Sequence, residues 1–368
     1  MPSSERWGRG ARALVAATLA LACAGEPSAA RGALPKGVPT GARPLCVGPD
    51  ASPERADCWT PASVEARLLD PDLEVLRVRR LSSGSQDARV WTLWVPPDGA
   101  VFEAKARAQS DVTPHNDPTA GTLVHALQAL VLAPTDHVVP PTVTRCLEGV
   151  PRRHGKGHAP AGCTLVHLSY WLSRSAPLRA LRRDGVLRAP DGDPWDPDPR
   201  LFDPERFERD PAYRRAIANL NLIVHLIGHG DAHAQQFVAY EDPFHVFLVD
   251  SSTAFSMPRN PAMDRRQDLA SLIVPALPAD TAARVRALER ADVEGLAHAV
   301  TFERRGGAMR RAEHAAVIGD PDKRVRDPGS RLQIGLRDDE VEALWSRVRG
   351  VQRALRERTL GTLGAAAP

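Results

Sequence analysis

Two acids and one amine stand in this sequence where they could do chemistry together. Lys105 lies in the segment Ala100-Val-Phe-Glu-Ala-Lys-Ala106, which reads as a β-strand with Ala104 and Ala106 on either side of the amine. The chain carries 48 Lys plus Arg residues, yet only four are Lys, and Lys36, Lys156 and Lys323 sit in loops beside Gly, Pro or Asp. A composition so biased towards Arg is expected to keep Lys where a compact ammonium on a flexible stem is needed, as in a grip on phosphate. Asp231 sits at the apex of Leu226-Ile-Gly-His-Gly-Asp-Ala-His-Ala-Gln-Gln-Phe237, where Gly228 and Gly230 turn the end of an apolar helix into a tight loop. Asp250 ends the apolar strand Val246-Phe-Leu-Val249. Burial there is costly for a carboxylate unless it is paired or binds a metal. Two carboxylates nineteen residues apart on consecutive short strands suit one divalent ion and one transferring group.

The elements that must position these groups follow from periodicity. The 368 residues are 43% hydrophobic and 25% charged, the balance of a folded globular chain. A net charge of +3 without a clustered basic stripe argues against a nucleic-acid partner. A β-rich block comes first: Val75–Leu81, Arg89–Val95 and Ala100–Ala106 read as three strands, with the small-residue break Ser82-Ser83-Gly84-Ser85 between the first two. A helix over Thr119–Leu132 carries Leu123, Leu127 and Leu130 on one face. Val138–Arg145 reads as an edge strand, 147–163 as a basic loop, Thr164–Leu172 as a further strand and 190–211 as an Asp/Pro-rich connection. Helices are then expected over Tyr213–Ile227, 265–275, 280–300 and 338–358, and the Arg-rich stretches Arg179–Arg183 and Arg304–Arg311 read as solvated helix surfaces. The fold class is α+β, a β-rich part followed by a mainly helical one.

The N-terminus reads as an address. Arg6, Arg9 and Arg12 precede the apolar run Ala13–Ala22, too short for a stable span. Ala20-Leu-Ala-Cys23 is close to a lipobox, so residues 1–22 are expected to be a signal peptide and Cys23 the site of a lipid that holds the chain at the membrane. Cleavage after Ala30 is the competing reading. Export to the cell envelope, or to the periplasm or exterior, makes disulfides credible for the four other cysteines. Cys46–Cys58 with Cys146–Cys163 is one of three possible connectivities. Residues 23–60 read as a tether leading into a Cys-containing loop.

The order of small-residue loop, strand Lys, helix, Val139-Pro-Pro-Thr142 strand, Leu226-Ile-Gly-x-x-Asp-x-His233 loop and apolar-strand Asp resembles the protein-kinase-like superfamily. It is most similar to the atypical branch that includes the phosphatidylinositol 3-/4-kinase-like and HipA-type kinases. The resemblance covers about residues 75–358 and implies a bilobal fold: a β-rich N-lobe at 61–172, a connection at 173–212, a helical C-lobe at 213–360 and a disordered tail at 361–368. It implies ATP as the nucleotide and Mg²⁺ or Mn²⁺ as the ion. Ser83, Gly84 and Ser85 would cover phosphates with backbone N–H groups, and Lys105 would hold the α- and β-phosphates. Asp231 would orient or deprotonate an acceptor hydroxyl on a protein, lipid or sugar, while His233 braces its loop. Gln236 falls where the family has a metal-binding Asn, and Asp250 on the metal-binding Asp.

Two departures stand out. The 119–132 helix holds no acid to pair with Lys105, Gly121 being near the expected place, which leaves Asp117 or Glu103 as substitutes. Ser251-Ser252 replaces the Gly that usually follows the metal-binding Asp. Two other readings compete. A non-catalytic envelope lipoprotein could keep the fold as a scaffold, and His225, His229 and His233, four residues apart with Asp231 among them, could hold zinc in a metallohydrolase.

Overall fold

Strand alternation sorts the first half of the chain into one apolar and one polar sheet face. The protein is described from a computed structural model, which covers residues 43–48, 57–81, 88–96, 98–109, 117–147, 163–173, 175–177, 202–232, 236–241, 244–255, 270–313 and 315–364. Helix α1 (Pro61–Leu69) starts at Thr60, whose hydroxyl accepts the Ser63 N–H. Strands β1 (Glu74–Arg80), β2 (Arg89–Val95) and β3 (Ala100–Ala108) are followed by helix α2 (Thr119–Val131), then by β4 (Thr142–Leu147) and β5 (Thr164–Tyr170). The five strands form one antiparallel sheet in the order β1-β2-β3-β5-β4. Ala106, Leu168 and Val143 face one another in one cross-strand row and pack with Trp59, Val64, Leu68 and Phe102. On the opposite face the rows are Lys105–Ser169–Thr142 and Arg107–His167–Thr144. A period of two therefore turns both cations of β3 away from the apolar core.

The edge strand begins later than expected, at Thr142 rather than Val138. Pro140 and Pro141 have no N–H to give a ladder. The Gln128 side chain serves the preceding segment instead, its amide oxygen accepting from Val138 N and Val139 N and its amide nitrogen donating to Val139 O.

The second half is mixed rather than mainly helical. After β6 (Ala176–Pro177) come α3 (Pro204–Arg209) and α4 (Pro211–Ile227), then β7 (Phe237–Glu241) and β8 (Phe244–Leu248), which join β6 in a three-stranded sheet. Strand β9 (Ala276–Pro278), α5 (Ala279–Ala287) and α6 (Arg290–Gly295) occupy the region expected as one helix over 280–300. Strands β10 (Val300–Arg305), β11 (Ala308–Ala312), β12 (Val325–Arg326) and β13 (Arg331–Ile334) form an antiparallel sheet in the order β11-β10-β13-β12, and α7 (Asp338–Arg356) follows, packing against α4, α5 and α6. Arg304–Arg311 is thus a hairpin and not a helix, because Gly306 and Gly307, both at positive φ, make a two-residue turn. Residues 271–275 are not helical, and residues 265–269 of the expected helix lie outside the described residues, as do Arg179–Arg183, Cys23 and the segment 1–42. The tail expected to be disordered over 361–368 begins with a strand, β14 (Gly361–Leu363), which pairs in parallel with β9, and residues 365–368 lie outside the described residues. A large core joins α2, α4, α5 and α7, with Leu123, Leu127, Leu220, Ile223, Val285, Leu344 and Val348 inside it. Among the described residues no helix is long and apolar enough to cross a membrane.

Both nearest-neighbour cysteine pairs form disulfides, Cys46–Cys58 and Cys146–Cys163, with Cα atoms 5.2 Å and 5.4 Å apart. The Cys46–Cys58 loop is no loose tether where it is described. Leu45 bridges to Trp59, its N–H donates to the Tyr240 hydroxyl, and both side chains are buried. Two disulfides fit an oxidising compartment. Replacing Cys146 and Cys163 by Ser is expected to lower unfolding free energy by about 2–4 kcal/mol, read from a denaturant midpoint.

Buried histidines set a second expectation. Burial, with the neighbouring His125 adding to it, pushes His137 down to about 3. Burial likewise holds His167 down at about 4, against the opposing pull of Asp117. Unfolded histidine titrates near 6.5. The unfolded chain therefore binds protons first as pH falls, so stability is full above about pH 6.5 and declines by about 1.4 kcal/mol per pH unit for each histidine on the way to its folded value. Neither ring nitrogen of His137 has a hydrogen-bond partner among the described residues. His137→Leu is expected to flatten the slope of stability between pH 6.5 and 4, measured by denaturant unfolding across that range.

Candidate functional site between strand β3 and the Asp250 turn

Lys105 reaches down from the third strand of the sheet and meets the turn that follows β8. Its Nζ lies 3.4 Å from Asp250 Oδ2 and 3.4 Å from the Val249 carbonyl oxygen. Asp250 is held from the other side by Ser252, whose hydroxyl donates to Oδ1 at 2.6 Å and whose N–H donates at 3.3 Å. Arg107, two residues along β3, places Nη1 3.9 Å from the same Oδ1. Burial alone would raise the Asp250 carboxyl. The Lys105 ammonium, the Ser252 hydroxyl and the Arg107 guanidinium outweigh it and hold the group well below the usual carboxylate range.

The Asp231 loop is joined to this turn by one imidazole. Helix α4 ends at Gly228, whose φ of +55° is open to glycine, and the chain then turns through His229. The His229 ring is buried; Nε2 donates to the Asp250 carbonyl oxygen at 2.8 Å, and Nδ1 accepts the Asp231 N–H at 3.1 Å. Gln236 Nε2 donates to Asp231 Oδ2 at 3.0 Å, and the Gln236 carbonyl accepts the Val249 N–H at 2.9 Å. The backbones that carry the two acids are thereby registered against one another through His229. Phe255 takes a φ of +58° just beyond, unusual for a bulky residue, and its N–H donates to Ile227 O at 2.8 Å.

The expected substitutes for the helix acid go elsewhere. Glu103 pairs with Arg79 at 3.0 Å on the sheet rim, and Asp117 pairs with Arg324 at 3.1 Å. The acid that Lys105 meets is Asp250 itself. Gly121 explains why α2 offers none: a Cβ there would stand 3.3 Å from Thr142 Cγ2 and 3.5 Å from Ser251 Oγ, which leaves no room for a Glu side chain. Ser83, Gly84, Ser85 and His233 lie outside the described residues. The sequence points to His229 only as a possible zinc ligand, not as a link between the two acids, and does not single out Arg107. The link could have been found from the place of His229 two residues before Asp231, and Arg107 from the period of two that puts it on the Lys105 face.

The donor set is a poor match for Mg²⁺ or Mn²⁺. Both Asp250 oxygens are already engaged by cations or hydroxyl, and Gln236 turns its amide nitrogen, not its oxygen, to Asp231. Among the described residues no group of three or more His, Cys, Asp or Glu is arranged to hold a metal ion. The zinc reading gains nothing either, since His229 uses both nitrogens on protein partners.

A cavity of about 40 Å³ lies against Lys105, between the polar sheet face, the start of α2 and residues 248–252. Arg107, His167, Thr142, Ser169 and Asp250 supply its polar wall. No protein-family model matches the chain, and no curated protein matches it.

Proposed function

We propose that the chain is an exported kinase-like protein whose cleft seats the phosphates of a nucleotide such as ATP against Lys105. The β-rich part through β5 would be the N-lobe and the part from α4 onward the C-lobe, with a lipid on Cys23 as the membrane tether. The observation that carries this reading is the meeting of Lys105 with the Asp250 turn at 3.4 Å, across 144 residues of chain. A strand lysine and an acid that ends an apolar strand are among the parts that phosphoryl-transfer sites use to position charge, and here an Asp-bearing loop is tied to the same turn through His229. Asp231 would take the proton of an acceptor hydroxyl on a protein, lipid or sugar.

A nucleotide-binding scaffold without turnover is the second reading. It is favoured by Lys105 being paired with Asp250, and by Gln236 standing where an Asn would serve a metal, its amide committed to Asp231. Ligand binding to the folded state raises apparent stability by RT ln(1 + [L]/Kd). ATP is expected to raise the melting temperature of the purified chain and to leave that of Lys105→Met unchanged. Equal shifts in both, or none in either, would remove Lys105 from the function.

A further inference from the structure

Arg107 is the feature that the nucleotide reading does not yet use. Only 6% of the residue is exposed, and its guanidinium lines the cavity beside Lys105. Among the described residues its one ion-pair partner, Asp250, is 3.9 Å away, beyond hydrogen-bonding distance, and Nε has no hydrogen-bond partner. A guanidinium buried this deeply is costly unless an anion compensates it. Asp250 is shared with Lys105 and Ser252, Asp117 is taken by Arg324, and Glu103 by Arg79. His167, opposite Arg107 on β5, accepts from the Thr144 hydroxyl at Nδ1 and donates to Gln109 Oε1 from Nε2, as a neutral ring does. Among the described residues the wall therefore carries two positive charges against one negative charge. Its volume of about 40 Å³ is room for about three waters, the scale of one oxoanion and far below that of a nucleoside.

Resting on the nucleotide reading above, we infer that Lys105 and Arg107 form a two-cation seat for one phosphate group of the nucleotide, with Arg107 supplying the charge that a divalent ion would otherwise bring. The planar fork of Arg suits two phosphate oxygens, and Lys105 adds a point charge on the same sheet face. Asp250 then acts as the counter-ion that keeps both cations in place before the ligand arrives. Metal-free nucleotide binding is the consequence.

The test is titration of the full chain with ATP, and separately with inorganic triphosphate, in EDTA and in excess Mg²⁺ or Mn²⁺. Affinity for ATP in EDTA is expected within about threefold of that with metal, and Arg107→Met is expected to weaken metal-free binding by about 10- to 100-fold. Arg107→Lys, which keeps the charge and loses the fork, is expected to fall between the two. It decides the matter if Arg107→Met does not fold, since unchanged affinity in Arg107→Lys would overturn the seat. Binding seen only with metal would overturn this inference and leave the nucleotide reading standing. No binding in either condition would overturn both.

Discussion

Replacing Arg324 by methionine is expected to destabilise the protein by about 3–5 kcal/mol, the range for removing one partner of a buried ion pair. Arg324 joins three distant pieces of chain. Its Nε and Nη2 bind the buried Glu340 carboxylate at 2.6–3.0 Å, Nη1 binds Asp117 Oδ2 at 3.1 Å, and Nη2 donates to Ala254 O at 3.0 Å. Asp117 in turn accepts the N–H and hydroxyl of Thr119 at the start of α2, and Glu340 accepts the Arg337 N–H at the start of α7. Methionine fills similar volume but takes the cation from Asp117 and leaves the buried Glu340 with only the half-buried Arg337, at 3.1 Å. Arg324→Lys is expected to recover little, because a single ammonium does not reproduce the fork. The double replacement Arg324→Met with Glu340→Gln should recover part of the loss. Denaturant unfolding reads all three, and a loss below about 1 kcal/mol for Arg324→Met would mean the network contributes as little as a surface pair. The Ala254 contact adds a functional readout: loosening the turn after Asp250 should weaken nucleotide binding as well.

The second large effect concerns turnover. If the chain transfers phosphate, Asp231→Asn is expected to lower the rate by at least about 10²-fold, the usual contribution of a positioned general base. The fold should be untouched, since the Asp231 N–H keeps its bond to His229 Nδ1. Transfer of label from γ-labelled ATP to a hydroxyl acceptor measures it, and a change below about threefold would deny Asp231 a role in proton transfer. His229→Phe is the companion variant. It removes the strut between Asp231 and the Asp250 carbonyl.

How much of this was legible in the sequence differs from residue to residue. Lys105 was legible because lysine is scarce in this chain, and Asp250 because an acid closing an apolar strand demands a partner. That the partner is Lys105 itself depends on a fold that brings the end of β8 to β3, which no local pattern carries. His229 was legible only as a possible zinc ligand, and Arg107 had a local signal in its two-residue offset from Lys105. Arg324 had none: Asp117, Ala254 and Glu340 are far from it in sequence, and an Arg beside Lys323 looks like surface charge until the chain is folded. The β10–β11 hairpin was misread as helix because its arginines suit a solvated face in either structure, although Gly306-Gly307 marked the turn. The absence of an acid on α2 was plain from the sequence. Its cause, the close approach of Thr142 and Ser251 to Gly121, was not.

A nucleotide carrying an acyl phosphate tests the cleft most directly, since its mixed anhydride acylates an amine held against the phosphates. The chain has four lysines, so peptide mass spectrometry can assign the acyl group without ambiguity. The expected result is labelling of Lys105 that unmodified ATP suppresses. Labelling confined to Lys36, Lys156 or Lys323, or labelling of Lys105 that ATP leaves unchanged, would contradict it.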